Sequence, residues 1–147
     1  IERAKKAIEL FPNNSEIRNL YNQIAIGTDK LNESISYSKT GLDYFNKGDY
    51  INAAQQFEKA LKANPLDYAY FENAATANYL IGNLNKAEQQ IDIVINEMNP
   101  LDGKCEYIKA LIYIKLGDSI GACPLLQTSV DSGYAQALDT FNQYCSQ

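Results

Sequence analysis

The chain has 147 residues, the length of one domain, and its 46% hydrophobic and 21% charged residues are typical of a globular protein rather than a disordered one. It contains no histidine, which excludes any mechanism that uses an imidazole of this chain as a base, a zinc ligand or a proton carrier. The net charge of -5 has the wrong sign for binding nucleic-acid phosphates, so we expect no nucleic-acid partner. No apolar run approaches the roughly 18 to 20 residues that cross a bilayer, so no membrane span is expected in this sequence.

The N-terminal part of the chain is expected to form helices. Residues 1–12 carry charges throughout and resemble the middle of a helix rather than a signal peptide, so we expect the natural N-terminus to lie further upstream. A second helix is predicted after Asn14 or Ser15, with Gly27 at its end. Its apolar positions are Ile17, Leu20, Tyr21, Ile24 and Ala25. The pattern leaves open whether residues 15–33 form a degenerate repeat or one long bent helix.

From about residue 34 onward the chain repeats with a period of about 34 residues. Glycines recur at Gly48, Gly82 and Gly117, and prolines recur at Pro65 and Pro100. Each glycine lies where a first helix would end in a left-handed turn, and each proline lies where a second helix would stop. Each unit therefore predicts two antiparallel helices joined by a tight turn.

Small residues recur where the two helices of a unit would face each other, which allows the backbones to approach closely. They are Gly41, Ala75 and Ala110 in the first helices, and Ala53, Ala87 and Ala122 in the second helices. Larger residues at flanking positions are expected to fill the core, and each one that is buried contributes about 1.5–3 kcal/mol. They are Tyr44, Phe57, Ile91, Tyr113 and Leu126.

The first unit resembles the signature of the tetratricopeptide repeat (TPR). The matching residues are Tyr37, Thr40, Gly41, Tyr44, Ala53, Phe57 and Pro65, with Tyr37 in place of the usual Trp and Thr40 in place of the usual Leu. The second unit has Asn78 where an aromatic residue is expected, and the third departs from the pattern at Glu106 and Ser129. The resemblance implies an all-α fold, a right-handed superhelix of about three helix-turn-helix repeats with a C-terminal capping helix.

On this resemblance the chain divides into an N-terminal segment, three repeats and a cap. The segments are residues 1–33, 34–67, 68–102, 103–132 and 133–147, and the repeat at 103–132 is degenerate. The N-terminal segment is expected to hold an extra helix and the remnant of an earlier repeat, because Ala4, Ala7 and Pro12 follow the spacing at the end of a repeat's second helix.

The C-terminal part predicts two further helices. Pro124 disfavours a helix interior, so we expect its helix to start late, near Ala122, or to kink. After Gly133, a last helix would cap the apolar face of the final repeat. The residues expected on the packing side of this helix are Ala137, Leu138, Phe141 and Tyr144.

Two cysteines are positioned to pair at this end. If the chain reverses near Gly133, Cys123 and Cys145 lie level on neighbouring helices, near the Cα separation of roughly 4.4–6.8 Å that a disulfide requires. A disulfide would indicate an exported, oxidising location and would leave Cys105 unpaired; alternatively, both are reduced packing residues of a cytoplasmic protein. The C-terminal segment also resembles the ends of bacterial TPR proteins common in Bacteroidota.

In TPR arrays the first helix of each unit lines the concave, binding face, so the resemblance implies a groove along these helices. The candidate groove residues are Ser38, Leu42, Phe45, Glu72, Thr76, Tyr79, Lys104, Tyr107, Leu111 and Ile114. An apolar helix or an extended peptide would fit such a surface, with Glu72 and Thr76 reaching its main-chain polar atoms. Alternatively, these side chains pack internally or between copies of the chain.

Chaperone-binding TPR domains hold a C-terminal carboxylate with a clamp of Lys, Asn, Asn, Lys and Arg. The matching residues here are Ser38, Leu42, Asn73, Lys104 and Ile108, so most of the cations are missing and we expect no such clamp. The net charge slightly favours a basic or neutral partner, although most charges are expected on the solvated outer face.

The sequence therefore predicts a non-enzymatic scaffold that binds a partner protein. No glycine-rich phosphate loop is present and no nucleophile has an evident base, so we expect no catalytic residues, cofactor or metal. The alternative is a structural or oligomerisation segment of a larger TPR protein, which self-associates through Ile8, Leu10 and Phe11 at the N-terminal helices.

Overall fold

The computed structural model describes residues 2–11 and 13–146, except for the side chain of Ala4. The expectations for Pro12 and for the Ala4 side chain therefore lie outside the described residues. The helices are α1 Glu2–Leu10, α2 Ser15–Ile26, α3 Thr28–Asn46, α4 Tyr50–Ala63, α5 Tyr68–Leu80, α6 Leu84–Ile93 with a π-helical turn at Val94–Met98, α7 Lys104–Lys115, α8 Ser119–Asp131 and α9 Ala137–Cys145. The described part of the chain contains no strand, and none of its helices is long and apolar enough to cross a membrane.

Three helix pairs form the body of the molecule: α3 with α4, α5 with α6, and α7 with α8. The glycines of their turns, Gly48, Gly82 and Gly117, have φ values of 78°, 85° and 86°, in the left-handed region that residues with a β-carbon disfavour. Asp49 and Asp118 then cap the second helices of their pairs, each accepting a hydrogen bond from a backbone N–H one turn ahead. The turns are thus determined by local sequence.

Close packing within the first pair depends on Gly41. A β-carbon on this residue would lie 2.6 Å from Cε1 of Phe57, whose ring is fully buried. Gly41 therefore makes room for the ring on α4 that forms the centre of the first cluster. The neighbours of Phe57 in this cluster are Ala53, Ala54, Ala74 and Ala77.

The core continues through the second and third pairs. Ile91 and Leu126 are fully buried, as expected, and so is Ile112, whereas Tyr44 and Tyr113 are only half-buried. The larger cluster joins α5, α6 and α7, and it contains Phe71, Ala75, Ala87, Ile91, Val94, Cys105, Ile108 and Ile112. Neighbouring pairs therefore share a continuous apolar interior, as in a stacked array.

Pro124 lies inside α8, which begins at Ser119. The expected late start near Ala122 is wrong, because Asp118, four residues earlier, caps the helix. Pro124 has no N–H to donate to the carbonyl of Ile120 one turn before it. The Ile120 side chain is exposed, so this break in the helical hydrogen bonds lies on the solvent side of α8.

The two N-terminal helices pack against each other, and α2 also contacts α3. Gly27, with a φ of 86°, separates α2 from α3, so residues 15–33 do not form one continuous helix. A cavity of about 420 Å³ lies where α2 meets the start of α5 and the segment before α7. In this cavity Arg18 lies over the ring of Tyr68, 5.0 Å from its centroid.

Candidate partner-binding groove

The predicted groove residues lie on the first helices α3, α5 and α7, and polar contacts join these helices to one another. Ser34 of α3 and Tyr70 of α5 share a hydrogen bond of 3.3 Å between their hydroxyl groups. Lys104 of α7 donates a hydrogen bond of 2.7 Å to Glu72 of α5. The three helices are therefore held side by side as one surface.

The ten predicted residues differ in how far they reach this surface. Leu42 is exposed, and seven others are half-buried: Phe45, Thr76, Tyr79, Lys104, Tyr107, Leu111 and Ile114. Ser38 and Glu72 are buried, so their side chains belong to the interior. The expectation that Glu72 reaches the main chain of a ligand is at odds with its contacts, because its carboxylate is bonded within the protein.

Glu72, Lys104 and Cys105 form a buried polar cluster. The Glu72 side chain is only 4% exposed; one oxygen accepts from Lys104 and the other accepts from the thiol of Cys105, at 3.3 Å. Burial works to lower the pKa of Lys104, but the hydrogen bond and the charge of Glu72 outweigh it and raise that pKa. Burial, reinforced by the Glu72 carboxylate, raises the pKa of Cys105 far above its usual range, so this thiol stays protonated.

This cluster bears on the carboxylate clamp. Lys104 is one of the two clamp positions that the sequence retains, and its ammonium group is already neutralised by Glu72. A carboxylate of a ligand would have to compete with a buried, charge-assisted partner. The contacts of Lys104 therefore agree with the expectation that the clamp is absent.

Tyr79 and Tyr107 form the aromatic end of the predicted groove. The ammonium group of Lys115 lies 4.5 Å from the ring centroid of Tyr79 and donates to its carbonyl oxygen. The ring of Tyr107 lies 5.2 Å from that of Tyr134. Burial raises the pKa of the Tyr79 phenol, and the phenols of Tyr107 and Tyr144 raise it further.

Two residues near this end were missed by the sequence interpretation, namely Thr140 and Tyr144 of α9. The Thr140 hydroxyl lies 3.4 Å from the phenol of Tyr107, and Tyr144 is 38% exposed. Tyr144 was assigned to the packing side of the cap with Leu138, which is also exposed. Thr140 and Tyr144 are four residues apart, so they share one face of α9. This spacing is the sequence signal that could have placed both residues near the end of the predicted groove.

At the other end of the predicted groove the apolar side chains belong to α3. Leu42 is exposed together with Ile35, while the ring of Phe45 packs edge-on against that of Tyr50 at 5.1 Å. Phe45 therefore supports the wall of the groove, and Leu42 offers the larger free apolar surface.

Solved structures resemble this architecture. The first TPR domain of the human RPAP3 protein, solved by NMR, has a TM-score of 0.71 at 16% identity, covering 78% of this chain and 91% of that one. The TPR domain of Sgt2 from Aspergillus fumigatus has a TM-score of 0.64 at 20% identity, covering 76% and 78%. The chain has the fold of a TPR domain.

This confirms the predicted fold class, an all-α TPR superhelix. A third TPR structure, the TPR2AB domain of yeast Sti1 in a pHSP90 complex, has a TM-score of 0.69 at 20% identity. That match covers 99% of this chain and 53% of the Sti1 chain. No protein-family model matches the sequence, and no curated protein matches it.

Proposed function

We propose that the protein is a non-enzymatic scaffold that binds a segment of a partner protein along α3, α5 and α7. The observation that carries this proposal is the surface itself: exposed Leu42 and a row of half-buried side chains on three helices held side by side. TPR superhelices expose such a concave surface. The Sti1 structure, a TPR domain in a pHSP90 complex, supports a protein or peptide as the ligand class.

The chemistry of the groove favours an uncharged segment with apolar or aromatic side chains. Leu42 and Leu111 offer aliphatic surface, and Tyr79 and Tyr107 offer rings with phenol groups. The ammonium of Lys104 is paired with Glu72, so a terminal carboxylate has little to gain here. Aromatic and apolar anchors in a groove are the usual source of affinity in such complexes.

The test is selection of short random peptides against the folded protein, followed by fluorescence anisotropy with a fluorescein-labelled copy of one selected peptide. Leu42→Asp and Leu111→Asp place a charge in the groove and are expected to weaken binding at least about tenfold, or about 1.4 kcal/mol. Ile51→Asp is the matched control, because Ile51 is an exposed apolar residue on the second helix α4.

The proposal is supported if Leu42→Asp and Leu111→Asp weaken peptide binding and Ile51→Asp does not. An equal loss with Ile51→Asp, or peptides that bind all the variants alike, would reject the groove as the binding surface. Far-UV circular dichroism of each variant establishes that the helices are retained.

A second candidate function is self-association through the N-terminal helices. Leu10 and Phe11 are more than half exposed at the end of α1, and Leu20 and Ile24 of α2 are also exposed. Burying such side chains would be favourable in a dimer. Light scattering over a range of concentrations tests this: a dimer that Phe11→Asp abolishes would support it, and a monomer at all concentrations would reject it.

The proposed boundaries of the repeats are residues 34–67, 68–102 and 103–132, preceded by the N-terminal helices and followed by the cap. We also propose a bacterial origin, on the resemblance of the C-terminal segment to Bacteroidota proteins, and an exported location if the C-terminal cysteines are oxidised in the cell.

A further inference from the structure

The capping helix α9 is tied to the third helix pair by a covalent bond. Cys123 of α8 and Cys145, the last residue of α9, are joined as a disulfide, with their α-carbons 5.6 Å apart. On the same side of α9, Phe141 and Cys145 pack against the small cluster of Ala110, Ala122 and Leu126. The disulfide thus fixes the C-terminal end of α9 to the body of the molecule.

Another side of α9 faces the aromatic end of the groove. Thr140 and Tyr144 are four residues apart and share one face of the helix. Thr140 contacts the phenol of Tyr107 on α7, so Tyr144, about one helical turn further along, lies on the same side of α9 as this contact. Tyr144 is 38% exposed, so a ligand bound on this side of α9 can reach it.

Apart from the disulfide, α9 is held by its packing against α8 and against the small cluster. The helix has nine residues and no side-chain cap at its N-terminus, and helices of this length are not stable without tertiary contacts. Leu138 points to solvent, and Phe141 is only half-buried. Tyr144 is one residue before Cys145, so the disulfide directly restrains its position.

We propose that the Cys123–Cys145 disulfide controls whether Tyr144 is part of the groove. In the oxidised protein, Tyr144 joins Tyr79 and Tyr107 to bind an uncharged peptide segment that carries an aromatic or apolar anchor. When the disulfide is reduced, the end of α9 loosens, Tyr144 leaves this set and the peptide binds more weakly. The inference rests on the proposed function, because it concerns the same groove.

The redox step requires a dithiol as the reductant. The dithiol supplies two electrons and two protons, the S–S bond breaks into the thiols of Cys123 and Cys145, and the dithiol becomes a disulfide. Both cysteines are half-buried, which leaves them within reach of a small reductant. Cys105 is fully buried and bonded to Glu72, so it takes no part in the exchange.

The first experiment follows the position of residue 144 without any ligand. The chain contains no tryptophan, so Tyr144→Trp introduces a single tryptophan, whose emission can be followed separately from that of the tyrosines. Reduction with dithiothreitol is expected to raise the acrylamide quenching constant of this tryptophan about twofold, because the local structure opens. Tyr37→Trp on α3 is the matched control, and its quenching is expected to stay the same.

Mass spectrometry provides the thiol count of each sample, with one free thiol expected before reduction and three after it. Equal quenching of the Tyr144→Trp reporter in both forms would overturn the proposal. Three free thiols in protein purified without reductant would also overturn it.

The second experiment measures affinity with a fluorescein-labelled peptide selected on the oxidised protein. Reduction, or the double substitution Cys123→Ser with Cys145→Ser, is expected to weaken binding about three- to tenfold, the scale of one aromatic anchor. Tyr144→Ala is expected to cause the same loss in the oxidised protein and no further loss in the reduced protein.

The possible failures are distinguishable. If no peptide binds the oxidised protein, the proposed function fails, while the quenching result still reports on α9. If a peptide binds the oxidised and reduced forms equally, the control by the disulfide is refuted and the groove remains a binding site.

Discussion

The pair formed by Glu72 and Lys104 provides a quantitative test of the structure. Lys104→Met removes the ammonium group and leaves the carboxylate of Glu72, which is only 4% exposed, with the thiol of Cys105 as its remaining partner. Removing one partner of a buried ion pair costs about 3–5 kcal/mol. The lower value, about 3 kcal/mol, is expected here because the Lys104 side chain is 34% exposed and the pair is partly solvated.

The reverse substitution is expected to cost less. Glu72→Gln leaves an ammonium group that reaches solvent, so we expect a loss of about 1 kcal/mol, the scale of one hydrogen bond. Combining Glu72→Gln with Lys104→Met should restore much of the stability lost in Lys104→Met, because no buried charge is then left unpaired.

Urea unfolding followed by circular dichroism, with the disulfide intact, measures these free energies. Lys30→Met is the control, since Lys30 pairs with Glu33 at the surface, and it should leave the stability unchanged. If Lys104→Met costs no more than Glu72→Gln, or if the double variant is the least stable, the proposed burial of an unpaired carboxylate is wrong.

Three further predictions concern stability. The pKa of Lys104 is raised in the folded state, so the ammonium group contributes its full stabilisation below the unfolded-state pKa of 10.5 and loses it as the pH rises through the folded-state pKa. The difference in the free energy of unfolding between wild type and Lys104→Met should therefore shrink above pH 10.5, which urea unfolding at several pH values can measure. Gly41→Ala should destabilise by about 1–2 kcal/mol in thermal unfolding despite a better helix propensity, because its β-carbon meets the Phe57 ring, and the same change should become favourable when combined with Phe57→Leu. In urea unfolding, Asn22→Leu should be neutral or stabilising, since the buried Oδ1 atom of Asn22 has no hydrogen-bond partner. Asn78→Leu should instead cost about 1–3 kcal/mol, because the Asn78 amide donates to Gln90 and Glu58. Equal effects of the two substitutions would contradict both assignments.

The sequence was sufficient to predict the helix pairs and the turns within each pair. Gly48 and Gly117 end helices through their backbone geometry, and Gly41 marks the place where the two helices of the first unit pack closely, although the structure shows Phe57 and not Ala53 as its nearest neighbour. Such interactions are local or repeat with the period of the chain, so each recurs in the pattern. The predicted late start of α8 is wrong because that prediction considered only Pro124, whereas the side chain of Asp118 caps the helix before Ser119.

Polar residues that depart from the repeat pattern form specific hydrogen bonds in the core of the protein. Ser129 marked the third unit as degenerate, yet it is fully buried and its hydroxyl donates to the carbonyl of Gly103 at 2.7 Å, across 26 residues. Asn78 marked the loss of an aromatic residue, yet it bonds to Gln90 of α6 at 3.0 Å. A polar side chain at a buried position of a repeat is therefore better interpreted as a specific tie between elements than as decay of the repeat.

The chemistry of the groove depends on contacts between units, which the repeat period does not encode. Glu72 and Lys104 were both assigned to the groove surface, and only the packing of α5 against α7 shows that each neutralises the other. The sequence pattern likewise places Tyr144 on the packing side of the cap, whereas the structure leaves it 38% exposed, one turn after Thr140, which contacts Tyr107. Which first-helix side chains remain free for a partner is thus decided by the stacking of the units, and Leu42 on the first unit is more exposed than Leu111 on the third. Charge placed at position 42 should therefore perturb a bound peptide with less disturbance of the fold than charge placed at position 111.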